Sequence, residues 1–289
     1  MLETYWCNYD ASSGTYTNCC EDDMPTVSAM HTLFPRLLAL PANLTTPAQR
    51  AAWSSFAAIL PDLPLSADGS QYAAARVVSS GKHNDEGPEL YLAHPHRVVT
   101  VGRAVTAGIN LTIGAATLAA IPFYSSDDTW SYGACGGGLC VDVMPVGGVK
   151  TTPPPPSFTG LNDAVLLGQT NFAITQLLQK ADAGPPAGYR FSGYAPSTGD
   201  SDPGDEYYVN MVRALQEMVL QSGDDGYENT TIVLFPSWPC TWDVSAKLWG
   251  PLNTTVEIEY AAGALLSLVV TPASRLEQVR WAACVNATS

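Results

Sequence analysis

The chain has 289 residues, of which 46% are hydrophobic and 14% charged, with a mean hydropathy of +0.04. This composition supplies a hydrophobic core and excludes wholesale disorder. The 27 Asp and Glu outnumber the 13 Lys and Arg, and the net charge of −14 argues against binding to nucleic acid or to an anionic membrane surface. No apolar stretch reaches about 18 residues, so we expect no transmembrane span.

The first half of the chain is predicted to be largely helical. Residues 25–61 are expected to form two helices, with Pro35 bending the first and Pro47 in the opening turn of the second. Residues 72–100 have an extended, looped pattern. A helix of small residues is predicted at about 103–121, from its composition.

The segment 133–159 has the composition of a surface insertion. It contains three consecutive glycines at Gly136–Gly138 and four consecutive prolines at Pro153–Pro156, which do not build a packed core. Cys135 and Cys140 flank the glycines, and we expect them to close a small disulfide loop.

The second half of the chain changes from helical to extended patterns. Amphipathic helices are predicted at 161–180 and 205–221, followed by a strand at 230–235 and a hairpin formed by 254–260 and 265–270. Runs of helices followed by runs of strands predict a mainly α domain at 1-222, including the insertion at 133-159, and a small antiparallel β domain at 223-289.

Several features are typical of the secretory pathway. Asn-x-Ser/Thr sequons occur at Asn43, Asn110, Asn229, Asn253 and Asn286. The seven Cys are an odd number, so at least one thiol is free or pairs outside this chain. The N-terminus lacks the basic flank and apolar run of a signal peptide. We therefore expect a secreted glycoprotein with disulfides, given as a fragment that has lost its signal peptide.

Several motifs resemble one family of enzymes. In the C-terminal part, the run Ala214–Ser222 is followed by Ile232–Pro239 and then by three short motifs, Trp242-Asp243-Val244, Lys247-Leu248 and Asn253–Glu257. The upstream motifs are Asn84–Tyr91, His94–Arg97 and Gly102-Arg103. This pattern is similar to (α/α)6-barrel glycoside hydrolases, nearest to family-95 α-L-fucosidase-like proteins.

The resemblance spans most of residues 25–275 and corresponds to the C-terminal half of such a barrel. It implies a partial (α/α)6 toroid followed by a small β domain, and a carbohydrate substrate or ligand, with fucose the leading candidate. The first half of the barrel and its β-sandwich would then precede this chain. Two departures are visible: Trp130 is separated from Asn162-Asp163 by the insertion, and His94 and His96 replace the aromatic residues of the relatives.

Glycoside hydrolysis requires two carboxyl groups that face each other across the scissile bond. Glu86 and Glu89 lie in an acidic, loop-like run and are the candidates for the base that activates water; the alternative is a solvated acidic loop. The complementary acid is expected outside this chain, and the local alternatives are Glu3 and the run Glu21-Asp22-Asp23. Asp163 and Glu217 lie where the relatives also carry acids, but helix capping explains Asp163 and barrel structure explains Glu217 without catalysis.

Other polar and aromatic residues are candidates for substrate binding. They are Asn84, His94, His96, Arg97 and Trp130. Arg97 offers a planar donor fork to a sugar hydroxyl or a carboxylate, and the alternative is a structural arginine paired with an acid. On a strand, His94 and His96 would share one face, but no further ligand is spaced for a metal. We therefore predict no metal and no cofactor.

Three functions remain open at this stage. The first is a glycoside hydrolase-like protein that acts on an extracellular glycan and is incomplete as given. The second is a non-catalytic glycan-binding or cell-surface structural protein, which the insertion, the sequons and the replaced aromatic residues favour. The third is an inactive gene fragment, since half of a toroid would expose apolar helix faces.

Overall fold

The computed structural model describes the chain in several ranges. These are residues 8–10, 15–17, 20–78, 88–120, 160–182, 206–223 and 231–282. Helix accounts for about 45% and strand for about 25% of the structure. The insertion predicted at 133–159, with Cys135 and Cys140, lies outside the described residues.

Two short antiparallel strand pairs lie in the first 80 residues. Strand β1 (Asn8–Asp10) pairs with β2 (Thr15–Thr17), and β3 (Cys20–Asp23) pairs with β4 (Ala75–Val78). The chain between β3 and β4 contains two helices. These strands were not predicted, because each has only three or four residues, too few for an alternating pattern to be recognised.

The two helices between β3 and β4 confirm the prediction for residues 25–61. Helix α1 (Met24–Ala39) begins where the Asp23 side chain accepts a hydrogen bond from the Thr26 N–H at 3.0 Å. Helix α2 (Pro47–Ala57) begins with a capping box formed by Thr46 and Gln49. The two helices pack as a hairpin, in which the rings of Phe34 and Phe56 stack with their centroids 6.0 Å apart.

The single helix predicted at 103–121 is in fact two helices. Helix α3 (Val101–Ala107) ends at Gly108, whose φ of +69° is left-handed, and α4 (Thr112–Ala120) begins after a short break. In that break the Asn110 side chain accepts a hydrogen bond from the Thr112 N–H at 2.8 Å. Glycine tolerates the left-handed backbone and asparagine satisfies the new helix end, so together they outweigh the helix propensity on either side.

The helix predicted at 161–180 is also divided. Helix α5 (Leu161–Leu166) is separated from α6 (Thr170–Asp182) at Gly168, which has a φ of +72°. Helix α7 (Glu206–Val219) agrees with the prediction for 205–221 except at its end, where the chain continues directly into strand β5 (Leu220–Gly223).

The remaining strands form two three-stranded sheets. In one, β6 (Thr231–Leu234) lies between antiparallel β5 and parallel β10 (Val279–Trp281). In the other, β8 (Thr254–Ala261) lies between β7 (Val244–Gly250) and β9 (Ala264–Thr271), both antiparallel to it. The hairpin predicted from residues 254–270 is therefore confirmed.

The predicted fold class, a mainly α partial (α/α)6 toroid with an appended β domain, is wrong. The structure is a mixture of α and β, because strands occur before, among and after the helices. Strand β5 continues α7, so its sheet includes residues on both sides of position 222. The division into 1-222 and 223-289 stays a prediction.

One hydrophobic core connects the helices to both three-stranded sheets. Its fully buried members include Met24 of α1, Leu92, Leu166 of α5, Met218 of α7, Ile232 of β6 and Ile258 of β8. All six residues of α5 are buried, which places this short helix at the centre of the molecule. Within the described ranges, every helix is too short or too polar to cross a membrane.

Candidate functional site

The predicted site residues that the structure describes lie in one turn, residues 88–97. A 3-10 turn at Pro88–Leu90 opens it, and the backbone N–H groups of Arg97 and Val98 donate to the carbonyl groups of Ala93 and Leu92 at 2.9 and 2.6 Å. Leu90, Leu92 and Ala93 are fully buried. The 88–97 turn is therefore held against the core and presents its other side chains in fixed positions.

The interior side of the 88–97 turn is fixed to helix α5. The backbone N–H of His94 donates to the Asp163 Oδ1 at 3.2 Å, and both residues are buried. Among the described residues Asp163 Oδ2 has no hydrogen-bond partner, and it lies close to Gly160, where an added Cβ would be only 2.4 Å from it. The capping role predicted for Asp163 is wrong: Gly160 is the N-cap, and no side chain caps the helix.

Burial controls the protonation of Asp163. Removal of the side chain from water raises the pKa of this carboxyl well above its usual value, and the hydrogen bond from the His94 N–H offsets only part of the effect. Burial thus favours the neutral acid. A neutral, buried carboxyl positions the turn through the hydrogen bond from the His94 N–H.

Arg97 forms the second link between the 88–97 turn and a helix. Its guanidinium donates to the Glu217 carboxylate of α7, and the two side chains are only 16% and 17% exposed. The backbone of Arg97 is left-handed, with a φ of +59°. The structure thus contains the ion pair that the sequence offered as the alternative for Arg97, and its predicted contact with substrate stays a prediction.

The outer side of the turn carries a pair of half-exposed rings. The centroids of Tyr91 and His96 are 5.8 Å apart, with the rings tilted by 47°. The His96 carbonyl accepts a hydrogen bond from the Thr32 hydroxyl at 2.7 Å, which fixes the turn to α1. Partial burial lowers the pKa of the His96 imidazole, so the ring is neutral at physiological pH. Glu89 is also half-buried, two residues before Tyr91.

His94 and His96 do not share one face, as the prediction for a strand required. They occupy a turn, in which His94 is buried and His96 is half-exposed. Within the described ranges, no group of three or more His, Cys, Asp or Glu is arranged to hold a metal ion. Three other predicted site residues, Asn84, Glu86 and Trp130, lie outside the described residues.

A buried polar network joins α3, α5 and β5, and its residues were not among the predicted site residues. The Gln221 Nε2 donates to the Val165 carbonyl at 3.0 Å, and the Gln221 Oε1 accepts from the Gly102 N–H at 3.2 Å. The Ser237 hydroxyl donates to the same Val165 carbonyl at 2.5 Å. Gln221 thereby joins the start of α3 to the end of α5. The sequence signal for Gln221 is a polar residue directly after an apolar helix, but the partners of its side chain are remote in sequence.

The neutral form of Asp163 leads to a pH-dependent prediction. The raised pKa means that the folded state holds its proton more tightly than the unfolded chain, whose Asp pKa is about 3.9. The resulting stabilisation is complete below that pH and is lost as the pH rises through the folded-state pKa. In this window, wild-type protein should lose up to about 1.4 kcal/mol per pH unit relative to Asp163→Asn, which keeps the acceptor for the His94 N–H.

Urea unfolding of both proteins between pH 4 and pH 9 measures this difference. The comparison uses the slopes of the two curves, because the Asn amide also introduces a buried donor whose cost does not depend on pH. Parallel curves for wild-type protein and Asp163→Asn would contradict the assignment of a raised pKa to Asp163.

The structure therefore brings Glu89, His94, His96 and Arg97 into one turn, and it places Asp163 and Glu217 beneath that turn. A shallow depression of about 230 Å³ lies elsewhere, on the outer face of the β7–β8–β9 sheet. The resemblance to family-95 proteins rests on the motifs alone and stays a prediction. No protein-family model, no curated protein and no solved structure matches the chain.

Proposed function

We propose that the chain is an extracellular glycan-binding protein that recognises a sugar at the outer side of the 88–97 turn. The observation that carries this proposal is the half-exposed ring pair of Tyr91 and His96 on a rigid support. Tyr91 also packs against the hydrophobic core, so the accessible part of the two rings is what would contact the C–H groups of a pyranose, and the His96 imidazole would supply a hydrogen bond. Such sites combine apolar contact with a few placed polar groups.

Rigidity is the second requirement for binding, and three contacts supply it. The His94 N–H is bound to Asp163, Arg97 is paired with Glu217, and the His96 carbonyl accepts from Thr32. They attach the turn to α5, α7 and α1. A preorganised site loses little conformational entropy when the sugar binds, so a small contact area is sufficient for measurable affinity.

The burial and the pairing of the acidic residues favour binding over hydrolysis. Asp163 is sealed in the core and Glu217 is paired, so neither faces Glu89 across an open cleft. Hydrolysis remains a second candidate because Glu89 is half-exposed beside Tyr91. One measurement distinguishes the two functions. A hydrolase releases reducing ends from fucosylated oligosaccharides, and Glu89→Gln should abolish that release.

The binding proposal predicts a specific loss of affinity. We expect His96→Ala to weaken binding about tenfold, because loss of one aromatic contact costs about 1–1.5 kcal/mol. Tyr91→Phe keeps the ring and should weaken binding less. The test is a printed glycan array that includes fucosylated structures, followed by calorimetric titration of the best array ligand.

The matched control is Phe56→Ala. Phe56 is 56% exposed on α2 and belongs to a different surface, so its removal should leave the affinity unchanged. Equal affinities of His96→Ala and wild-type protein for the array ligand would overturn the proposed site. Absence of binding to every glycan on the array would overturn the function itself.

A further inference from the structure

Strand β7 has a highly exposed tryptophan at its end, next to the turn into β8. Trp249 is the penultimate residue of β7, and 73% of its surface is accessible to solvent. Its neighbours on the outer face of the sheet are polar: the Lys247 ammonium is 2.7 Å from the Glu257 carboxylate. Trp249 is therefore a large aromatic ring exposed on a face of the sheet where its neighbours in the same strand pair are polar.

A sequon occupies the same turn. Asn253 is exposed, precedes β8 and has a left-handed backbone with a φ of +52°. The residues that follow are Thr254 and Thr255, so Thr255 supplies the hydroxyl of the Asn-x-Thr acceptor. In the antiparallel register, Thr255 lies directly opposite Trp249. Opposed residues of this kind lie on the same face, with Cβ atoms about 5 Å apart.

The two threonines have different roles. Thr254 is buried, its hydroxyl donates to the Pro251 carbonyl at 2.7 Å, and it accepts from the Arg275 Nε at 2.9 Å. Thr255 is the next residue of the strand, so its side chain lies on the opposite, outer face. The turn is therefore held from within by Thr254, whereas Asn253 is exposed and the half-exposed Thr255 lies opposite Trp249.

We propose that Asn253 is an N-glycosylation site and that Trp249 packs against the first N-acetylglucosamine attached there. The transfer forms a bond between Asn253 Nδ2 and C1 of the sugar. It breaks the bond from C1 to a polyprenyl diphosphate donor, the diphosphate leaves with the electron pair of that bond, and one amide proton passes to water. The indole face covers the C–H face of the sugar, and this contact accounts for the exposed ring.

This inference requires entry into the secretory pathway, but it is independent of glycan recognition at the 88–97 turn. Two further asparagines in sequons provide an internal control for entry into the secretory pathway. Asn43 lies in the 3-10 turn between α1 and α2, Asn110 lies between α3 and α4, and both are exposed. Their occupancy reports whether the chain has met the glycosylation machinery.

The experiment uses the full chain secreted from animal cells behind a cleavable signal sequence. Enzymatic removal of the glycans in ¹⁸O-labelled water converts each occupied Asn to labelled Asp, which peptide mass spectrometry locates. We expect label at Asn253 and its loss in Thr255→Val, which removes the acceptor hydroxyl. An unlabelled Asn253 overturns the proposal, and label at Asn43 or Asn110 in the same sample then assigns the failure to Asn253 itself and not to entry into the secretory pathway.

The contact with Trp249 is tested by thermal unfolding before and after glycan removal. Wild-type protein should lose about 2 °C in Tm, the shift that one aromatic contact makes in a protein of this size. Trp249→Ala should show no such loss. Val269→Ala, which removes another exposed apolar side chain from the outer face, should behave like wild-type protein. Equal losses in wild-type protein and Trp249→Ala overturn the packing of the sugar on Trp249.

Discussion

Gly102→Ala is expected to lower the free energy of unfolding by about 3 kcal/mol or more. A Cβ at this position would lie 2.4 Å from the backbone oxygen of Ser222 and 3.3 Å from the Gly223 nitrogen. Those atoms belong to strand β5 and cannot move aside as a flexible side chain can. Overpacking against a rigid neighbour forces a shift of the backbone, which costs 1–3 kcal/mol and occasionally more.

The same substitution disturbs the buried polar network around Gln221. The Gly102 N–H donates to Gln221 Oε1, so a displaced α3 leaves a buried acceptor with poorer geometry. This loss adds to the steric cost, since both arise from the close approach of α3 to β5. We therefore expect a large effect from the addition of a single methyl group.

Urea unfolding measures the change, and Gly250→Ala is the matched control. Gly250 lies in β7 without a left-handed backbone, and an added Cβ would have its nearest neighbour at 3.6 Å, an ordinary contact distance. Its replacement should be neutral or should stabilise by up to about 1 kcal/mol through the unfolded state. A Gly102→Ala protein within about 0.5 kcal/mol of wild type would contradict the close approach of α3 to β5.

The parts of the fold that the sequence predicted are those with strong local signals. Helices α1 and α2 have proline and capping residues at their starts, and β8 and β9 alternate around a short turn. The errors arose where one residue outweighs a longer pattern. Gly108 and Gly168 each end a helix that apolar residues alone would continue, because each adopts a left-handed backbone.

The prediction of the fold class was wrong for a different reason. Strands of three or four residues, such as β3 and β4, are defined by pairing partners that lie about fifty residues apart. No local pattern encodes such a pairing. Strand β5 also follows α7 without a break, so the apolar pattern of the helix concealed the start of a sheet.

The candidate site shows the same division between local and distant information. The sequence placed His94, His96 and Arg97 together because they are adjacent, and it named an acid as the alternative partner of Arg97. It did not identify that acid as Glu217, 120 residues away, or foresee that the His94 N–H would bind Asp163. The roles of Asp163 and Glu217 depend on their burial, and that burial results from the packing of α5 and α7.

Arg97→Met is expected to lower the free energy of unfolding by about 2–4 kcal/mol. Breaking a fully buried ion pair costs 3–5 kcal/mol because one charge is left without its partner, and this pair retains slight exposure. Methionine preserves the length of the side chain, so most of the loss reflects the unpaired Glu217 carboxylate. Glu217→Gln should cost less, because the amide oxygen still accepts from the guanidinium.

A double-mutant cycle separates the pair from its surroundings. Arg97→Met combined with Glu217→Met should be less destabilised than the sum of the single changes, with a coupling of about 1–3 kcal/mol, because neither charge is then left unpaired. The matched control is Arg76→Met: the Arg76 side chain is 57% exposed in its pairs with Glu21 and Asp22, so water replaces much of the lost interaction and the urea midpoint should change little. If Arg97→Met were as mild as Arg76→Met, the pair with Glu217 would not support the 88–97 turn. The turn would then owe its position to its buried backbone contacts and to Asp163.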